Sequence, residues 1–191
     1  MPGVSAGAGP TLDQLGPRLC IMGPSNSGKS TLAEAIGRAR GMPVVYLDQL
    51  HHLPDTDWTP RPHEEFAGLH DAAIAGERWV IEGNYSRVLP ARLARATGVI
   101  LLDVHRTTSL WRYVHRTLFD RDRLGTLDGA PERITWRMVH HIAIVQPGNR
   151  ARYGALFDTL TLPKLRLASP AAVAEFYRAE GLSRADVTTA S

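Results

Sequence analysis

Apolar residues in this chain fall into short blocks that alternate with stretches of helical spacing. Arg18-Leu19-Cys20-Ile21-Met22 is the first block. Leu32, Ala35, Ile36 and Ala39 then recur at i, i+3, i+4 and i+7, which predicts an amphipathic helix ending near Gly41. Pro43-Val44-Val45-Tyr46-Leu47 is the second block, closed by Asp48. A stretch holding Pro54, Trp58 and Pro60 predicts an irregular loop from 49 to 61. Pro62 suits the first turn of a second helix with Phe66, Leu69, Ala73 and Ile74 on its apolar stripe. Arg78-Trp79-Val80-Ile81 and Val99-Ile100-Leu101-Leu102 are the third and fourth blocks, with a short helix around Pro90 to Ala96 between them.

Helical spacing returns over Thr108 to Phe119, breaks in a polar stretch from Asp120 to Gly129, and resumes from Pro131 to about Val145. A Pro-Gly break at 147 and 148 is followed by a helix to about Leu160. Lys164-Leu165-Arg166-Leu167-Ala168 is the fifth block, and Ser169-Pro170 offers an N-cap followed by a first-turn proline. Val173, Phe176 and Tyr177 form the inner face of this last helix, with Gly181 as its stop.

Buried strands alternating with helices predict a doubly wound α/β protein with a five-stranded parallel sheet. Ligands in such sheets bind beyond the carboxyl ends of the strands. The polar features of this chain cluster there. Residues 23–30, Asp48, Glu82 to Tyr85 and Asp103 follow the first four strands in turn.

With 191 residues, one well-buried domain is expected over 17–181. Residues 1–16, rich in Gly, Ala and Pro, read as a disordered tail without the basic start and apolar block of a secretory signal, and 182–191 as a flexible tail. No apolar run approaches the roughly eighteen residues of a membrane span. Cys20 is the single cysteine, placed inside a strand, so it is expected to be a buried, inert thiol in a cytoplasmic protein. The net charge is +3, which suits an anionic partner such as a nucleotide or a nucleic acid. Between Val104 and Arg150 there are eight Arg against four acidic residues.

The loop after the first strand changes the picture. Gly23-Pro24-Ser25-Asn26-Ser27-Gly28-Lys29-Ser30 followed by Thr31 satisfies G-x-x-x-x-G-K-[ST], in the strand, loop and helix context that a phosphate-binding P-loop requires. Its glycines let successive N–H groups turn inward toward phosphate oxygens, and the helix N-terminus adds partial positive charge. Lys29 is expected at the β- and γ-phosphates of ATP and Ser30 on Mg²⁺. The chain has only two lysines, Lys29 and Lys164, among 22 basic residues, so one of them stands where a compact ammonium is needed.

Around this loop the other candidates are carboxylates, polar groups and arginines. Asp103 ends an apolar strand as a Walker B aspartate does, or else caps a turn. Asp48 competes for the same metal, and can instead accept the proton of an attacking hydroxyl, or do both. Glu82, Asn84 and Tyr85 stand where an acceptor would lie. Arginines from 112 to 123 can clamp phosphoryl oxygens or form a solvated basic face. The pairs His51-His52 and His140-His141 point in different directions and lack a nearby cysteine, which argues against a dedicated zinc site.

The P-loop, Val44 to Leu50, the Trp58 loop, Trp79-Val80-Ile81-Glu82-Gly83-Asn84-Tyr85, Arg92 and Leu101-Leu102-Asp103 resemble the adenylate-kinase-related P-loop proteins known as DNA topology modulation proteins. The resemblance spans about 18–178. It implies a nucleoside-monophosphate-kinase-like fold with a small helical lid at about 119–130, Arg121 and Arg123 as lid arginines, and Arg92 as an acceptor-phosphate contact. The chain departs from adenylate kinases proper, with Glu82-Gly83-Asn84-Tyr85 where they carry a Gly-Phe-Pro-Arg-like turn. It also departs from shikimate kinases, with Leu50 in place of the second aspartate of Asp-x-Asp and no glycine triplet after strand three.

The expectation is ATP- and Mg²⁺-dependent phosphoryl transfer to a small acceptor, a nucleotide or nucleoside. The site would comprise Gly23, Ser25, Asn26, Ser27, Gly28, Lys29, Ser30 and Thr31 for ATP; Ser30, Asp48 and Asp103 for metal; Glu82, Asn84, Tyr85 and Arg92 for the acceptor; and Lys29, Asp48, Arg121 and Arg123 for catalysis. The alternative is a nucleic-acid-associated regulatory NTPase whose 104–150 segment binds a phosphate backbone, although no reader motif is present.

Overall fold

Strand alternation divides the protein into two apolar layers around a central sheet. The computed structural model describes residues 9–56, 58–103 and 146–183. Strands β1 (Arg18–Met22), β2 (Val44–Tyr46), β3 (Trp79–Glu82), β4 (Gly98–Leu102) and β5 (Lys164–Leu167) form one sheet in the order β2-β3-β1-β4-β5. Every neighbouring pair is parallel. The fold class is α/β with a five-stranded parallel sheet, as the block pattern predicts.

Seven helices are described: α1 (Leu12–Leu15), α2 (Lys29–Arg40), α3 (Leu47–His51), α4 (His63–Ile74), α5 (Leu89–Arg95), α6 (Gln146–Thr159) and α7 (Pro170–Ala179). Alternate residues of β1 serve opposite layers, since successive side chains of a strand point to opposite faces. Leu19 and Ile21, with Val80, Ile100 and Leu102, pack against α1, α2 and α7. Cys20 and Met22, with Trp79, Ile81, Val99 and Leu101, pack against residues of α3, α4, α5 and α6. Each fully buried Leu or Ile here contributes about 1.5–3 kcal/mol. Among the described residues no helix is long and apolar enough to cross a membrane.

The ends of the fold differ from the sequence expectation. Within the stretch read as a disordered tail, Thr11 and Gln14 form a capping box, with Gln14 N–H donating to Thr11 Oγ1 at 3.3 Å and Thr11 N–H to Gln14 Oε1 at 2.9 Å. Leu12 and Leu15 of that turn are buried, and a Cβ on Gly98 would lie 2.5 Å from the Leu15 carbonyl oxygen. The turn is therefore seated on the sheet. At the other end, Gly181 adopts φ +63 and the Leu182 N–H returns to the Tyr177 carbonyl at 2.8 Å, which closes α7 and folds Leu182 into the core. Leu182, read from the sequence as the start of a flexible tail, is thus part of the packed core.

Three internal expectations also change. Leu47–His51 is helical where a loop from residue 49 was expected, so Asp48 stands in a helix first turn. On α4 the buried face is Phe66, His70 and Ile74, while Leu69 is 37% exposed. Pro147 and Gly148 lie within α6, where a break was expected. The lid at 119–130, the helices predicted over 108–119 and 131–145, and Arg121 and Arg123 lie outside the described residues.

Candidate phosphate and acceptor site

β1 is flanked on both sides by parallel strands, so the loop leaving its carboxyl end is walled in by the ends of β3 and β4. Gly23 takes φ +147, and a Cβ there would lie 2.4 Å from the Leu102 carbonyl oxygen, so only glycine can make this exit. Asn26 and Gly28 follow at φ +58 and +96, and Ser27 N–H donates to the Pro24 carbonyl at 3.3 Å. Positive φ at 23, 26 and 28 turns the loop on its way to the first turn of α2. Ser25, Asn26 and Ser27 lie within it, with Ser30 and Thr31 in that first turn. The Lys29 ammonium folds back to donate to the Pro24 carbonyl at 3.0 Å.

Register then decides which carboxylate faces the loop. Ile21 is paired with Glu82 on one side and Ile100 on the other, so Glu82 belongs to the α2 face of the sheet. There Ser30 Oγ donates to Glu82 Oε1 at 3.2 Å. Glu82 is 3% exposed. Burial pushes its carboxyl above the ordinary value; the nearby Lys29 ammonium opposes that shift and the Asp48 carboxylate adds to it.

Asp103 follows β4 with the opposite alternation. Its N–H extends the ladder to the Leu167 carbonyl at 2.9 Å, and its carboxylate is engaged by Arg150 of α6, with Arg166 of β5 at 4.0 Å from the second oxygen. Sequence reasoning assigned metal to Asp103 and acceptor to Glu82. In the structure it is Glu82 that meets the P-loop serine, whereas Asp103 is in an ion pair that no local signal announces.

Asp48 presents its carboxylate at the end of β2, where Tyr85 O–H donates to Oδ1 at 2.6 Å. Burial, and then Asp48, push the Tyr85 phenol far above its ordinary value, so it remains a donor. The Tyr85 ring packs on His51 (centroids 4.6 Å) and Phe66 (5.2 Å). His51 and His52, unassigned from sequence, are joined to each other, Nδ1 to Nε2 at 3.2 Å, and His52 Nδ1 lies 2.9 Å from the Asp48 carbonyl. Because a carbonyl only accepts, His52 Nδ1 carries a proton in this arrangement.

Two expected acceptor contacts are placed elsewhere. Both polar atoms of the Asn84 amide bond to the backbone of Gly23. Arg92 is wholly buried, with Nη2 donating to the Gly83 carbonyl at 2.9 Å, and it lies against the Cys20 thiol. It supports the Glu82-Gly83 turn from below and cannot reach an acceptor phosphate without repacking the core. Cys20 is fully buried and its thiol is pushed up to about 11, which agrees with an inert sulfur. The second lysine caps α6: Lys164 Nζ donates to the carbonyls of Phe157, Asp158 and Leu160 at 2.8, 2.9 and 2.8 Å.

No family model matches the chain, and no curated protein matches its sequence. Among solved structures it is similar to a gluconokinase from Sinorhizobium meliloti 1021, with 16% identity and a TM-score of 0.47 over 88% of this chain and 95% of that one. It is also similar to a deoxyadenosine kinase from M. mycoides, solved with the products dCMP and dCDP, with 14% identity and a TM-score of 0.41 over 78% of this chain and 87% of that one. The functional reading below rests on the residues of the site.

Proposed function

We propose that this protein transfers the γ-phosphoryl group of ATP to a small acceptor, a nucleotide or nucleoside, with Mg²⁺ as cofactor. The observation that supports it best is the convergence, at the carboxyl ends of β1, β2 and β3, of a complete P-loop, the Ser30–Glu82 bond and the Tyr85–Asp48 bond. In this reading the backbone N–H groups of residues 23–30 and Lys29 hold the ATP phosphates. An acceptor oxygen bonds to Pγ, the bond from Pγ to the β–γ bridging oxygen breaks, and ADP leaves with that electron pair. Where the acceptor is a hydroxyl, its proton passes to Asp48, which Tyr85 orients. Arg121 and Arg123 gather the phosphoryl oxygens as charge moves.

The donor set fits a hard divalent cation, since Ser30 Oγ and the Glu82 carboxylate offer only oxygen and stand together. When bound, Mg²⁺ would neutralise charge on the ATP phosphates. Ser30 and Glu82, with Asp48 near them, would hold it. Asp103 enters this reading only as the partner of Arg150. The narrower likeness to DNA topology modulation proteins rests on the sequence blocks quoted above.

Three measurements test this. Incubating the protein with ATP, Mg²⁺ and a panel of nucleotides, nucleosides and small polyols should yield one phosphorylated class; no product across the panel counts against the proposal. Lys29→Ala should weaken ATP binding about ten- to a hundredfold, the equivalent of one charge-assisted contact, with the melting temperature unchanged; equal calorimetric affinity would refute the role of Lys29. Glu82→Gln should raise the Mg²⁺ concentration for half-maximal rate about tenfold, as losses of metal-supporting carboxylates do, whereas Asp103→Asn should leave it in place. The reverse ordering would return the metal to Asp103.

A further inference from the structure

The backbone ladder between β1 and β3 stops one residue before the phosphate loop begins. Its register runs from Arg18 and Trp79 to Ile21 and Glu82, and the last backbone rung is Gly83 N–H to the Ile21 carbonyl at 3.3 Å. Gly23, at φ +147, has already left the strand conformation, so its N–H and C=O point where no strand continues. The Asn84 side chain supplies the missing rung. Gly23 N–H donates to Asn84 Oδ1 at 3.2 Å, and Asn84 Nδ2 donates to the Gly23 carbonyl at 2.8 Å. A primary amide carries donor and acceptor side by side as a peptide group does, and only one orientation of it satisfies both contacts.

The same short segment also ties the far end of the loop. Glu82 accepts from Ser30, and Asn84, two residues on, holds Gly23. The loop spans 23–30, so its two ends are fastened to the last residue of β3 and to the residue two positions beyond it. On its other side Gly23 abuts the Leu102 carbonyl, which leaves no room for it to relax toward β4. A backbone concavity recognises a polyphosphate only while its N–H groups keep a common focus, and freeing one end lets that focus disperse.

We propose that Asn84 is a positioning residue for the phosphate site: its amide holds the first residue of the P-loop in the shape that aims the loop at a polyphosphate, and it does not contact the acceptor. This rests on the assignment of the loop to ATP under the proposed function. The residue acts through Gly23, and its signature is therefore a loss of phosphate affinity that needs no acceptor.

The test uses the full chain and two variants, Asn84→Ala, which removes both contacts, and Asn84→Asp, which keeps the shape but loses the donor to the Gly23 carbonyl. ATP and inorganic tripolyphosphate, each with Mg²⁺ and without acceptor, are titrated calorimetrically well below the melting temperature. Asn84→Ala should weaken both ligands by the same factor, about tenfold for two modest hydrogen bonds, and Asn84→Asp should weaken them further because a carboxylate then stands beside the phosphates. ATP affinity equal to wild type overturns the proposal, whether the variant melts earlier, as a purely structural role predicts, or shows a raised acceptor KM, as an acceptor contact predicts. Should Asn84→Ala fail to fold, the near-isosteric Asn84→Asp decides by the same titration. A wild-type protein that binds neither ATP nor tripolyphosphate overturns the phosphate-site assignment itself, and this proposal with it.

Discussion

Asp48→Asn is expected to lower turnover by about 10²- to 10⁴-fold, the usual worth of a general base, while ATP affinity stays near wild type. Tyr85 donates to one oxygen of the Asp48 carboxylate at 2.6 Å and leaves the second for an incoming hydroxyl. Asparagine preserves the shape but accepts no proton at neutral pH. Asp48 lies outside the loop proposed to hold the phosphates, so the loss should fall on kcat rather than on nucleotide binding. Tyr85→Phe should cost less, since it frees the carboxylate without removing it. Steady-state rates with the phosphorylated acceptor class, set beside ATP titrations, check both. An Asp48→Asn enzyme with wild-type kcat would remove Asp48 from the chemistry.

The double variant Arg121→Ala, Arg123→Ala should lower turnover by about a thousandfold, in the range of a lost arginine finger, with little change in ATP affinity. These residues lie outside the described part of the structure, and their role comes from the sequence and its resemblance. The same variant discriminates against the nucleic-acid alternative. If the two arginines instead neutralise backbone phosphates, their removal should flatten the log–log salt dependence of DNA affinity by about 0.9 for each lost contact. A collapsed rate together with no salt-dependent DNA binding favours phosphoryl transfer. An intact rate with a flattened salt slope would replace the kinase reading by the regulatory one.

Most of the features that were legible lie in one contiguous stretch containing all the atoms concerned. The P-loop is such a case, because its turn, its lysine and its helix N-terminus lie within nine residues and need no partner to be recognised. The Ser169 cap with Pro170 is another: Ala172 N–H donates to Ser169 Oγ at 3.1 Å, as the dipeptide predicts. Thr11 and Gln14 carried an equally local signal, a capping box flanking leucines at i and i+3, which the Gly- and Pro-rich surroundings obscured. Leu182 belongs to the same class, since its place follows from Gly181 once that glycine is read as a helix stop with an apolar residue after it.

What the sequence determined by itself, then, is the five blocks, most of the described helices between them and the glycine-rich loop after β1, because strand and helix periodicity and loop chemistry are properties of neighbouring residues. Tertiary structure alone decided which end of which strand serves that loop. Glu82 ends and Asp103 follows a strand adjacent to β1, and periodicity ranks them equally. Register turns the first toward Ser30 under α2 and the second toward Arg150 on the opposite face. Likewise no local rule predicts that Asn84 pairs with a glycine 61 positions away, or that Arg92 is buried beneath the Glu82-Gly83 turn. On α4 His70 rather than Leu69 is turned inward. Each outcome depends on how separate elements are aligned, and that alignment is set by the packing of whole layers, which the pattern within any one element does not encode.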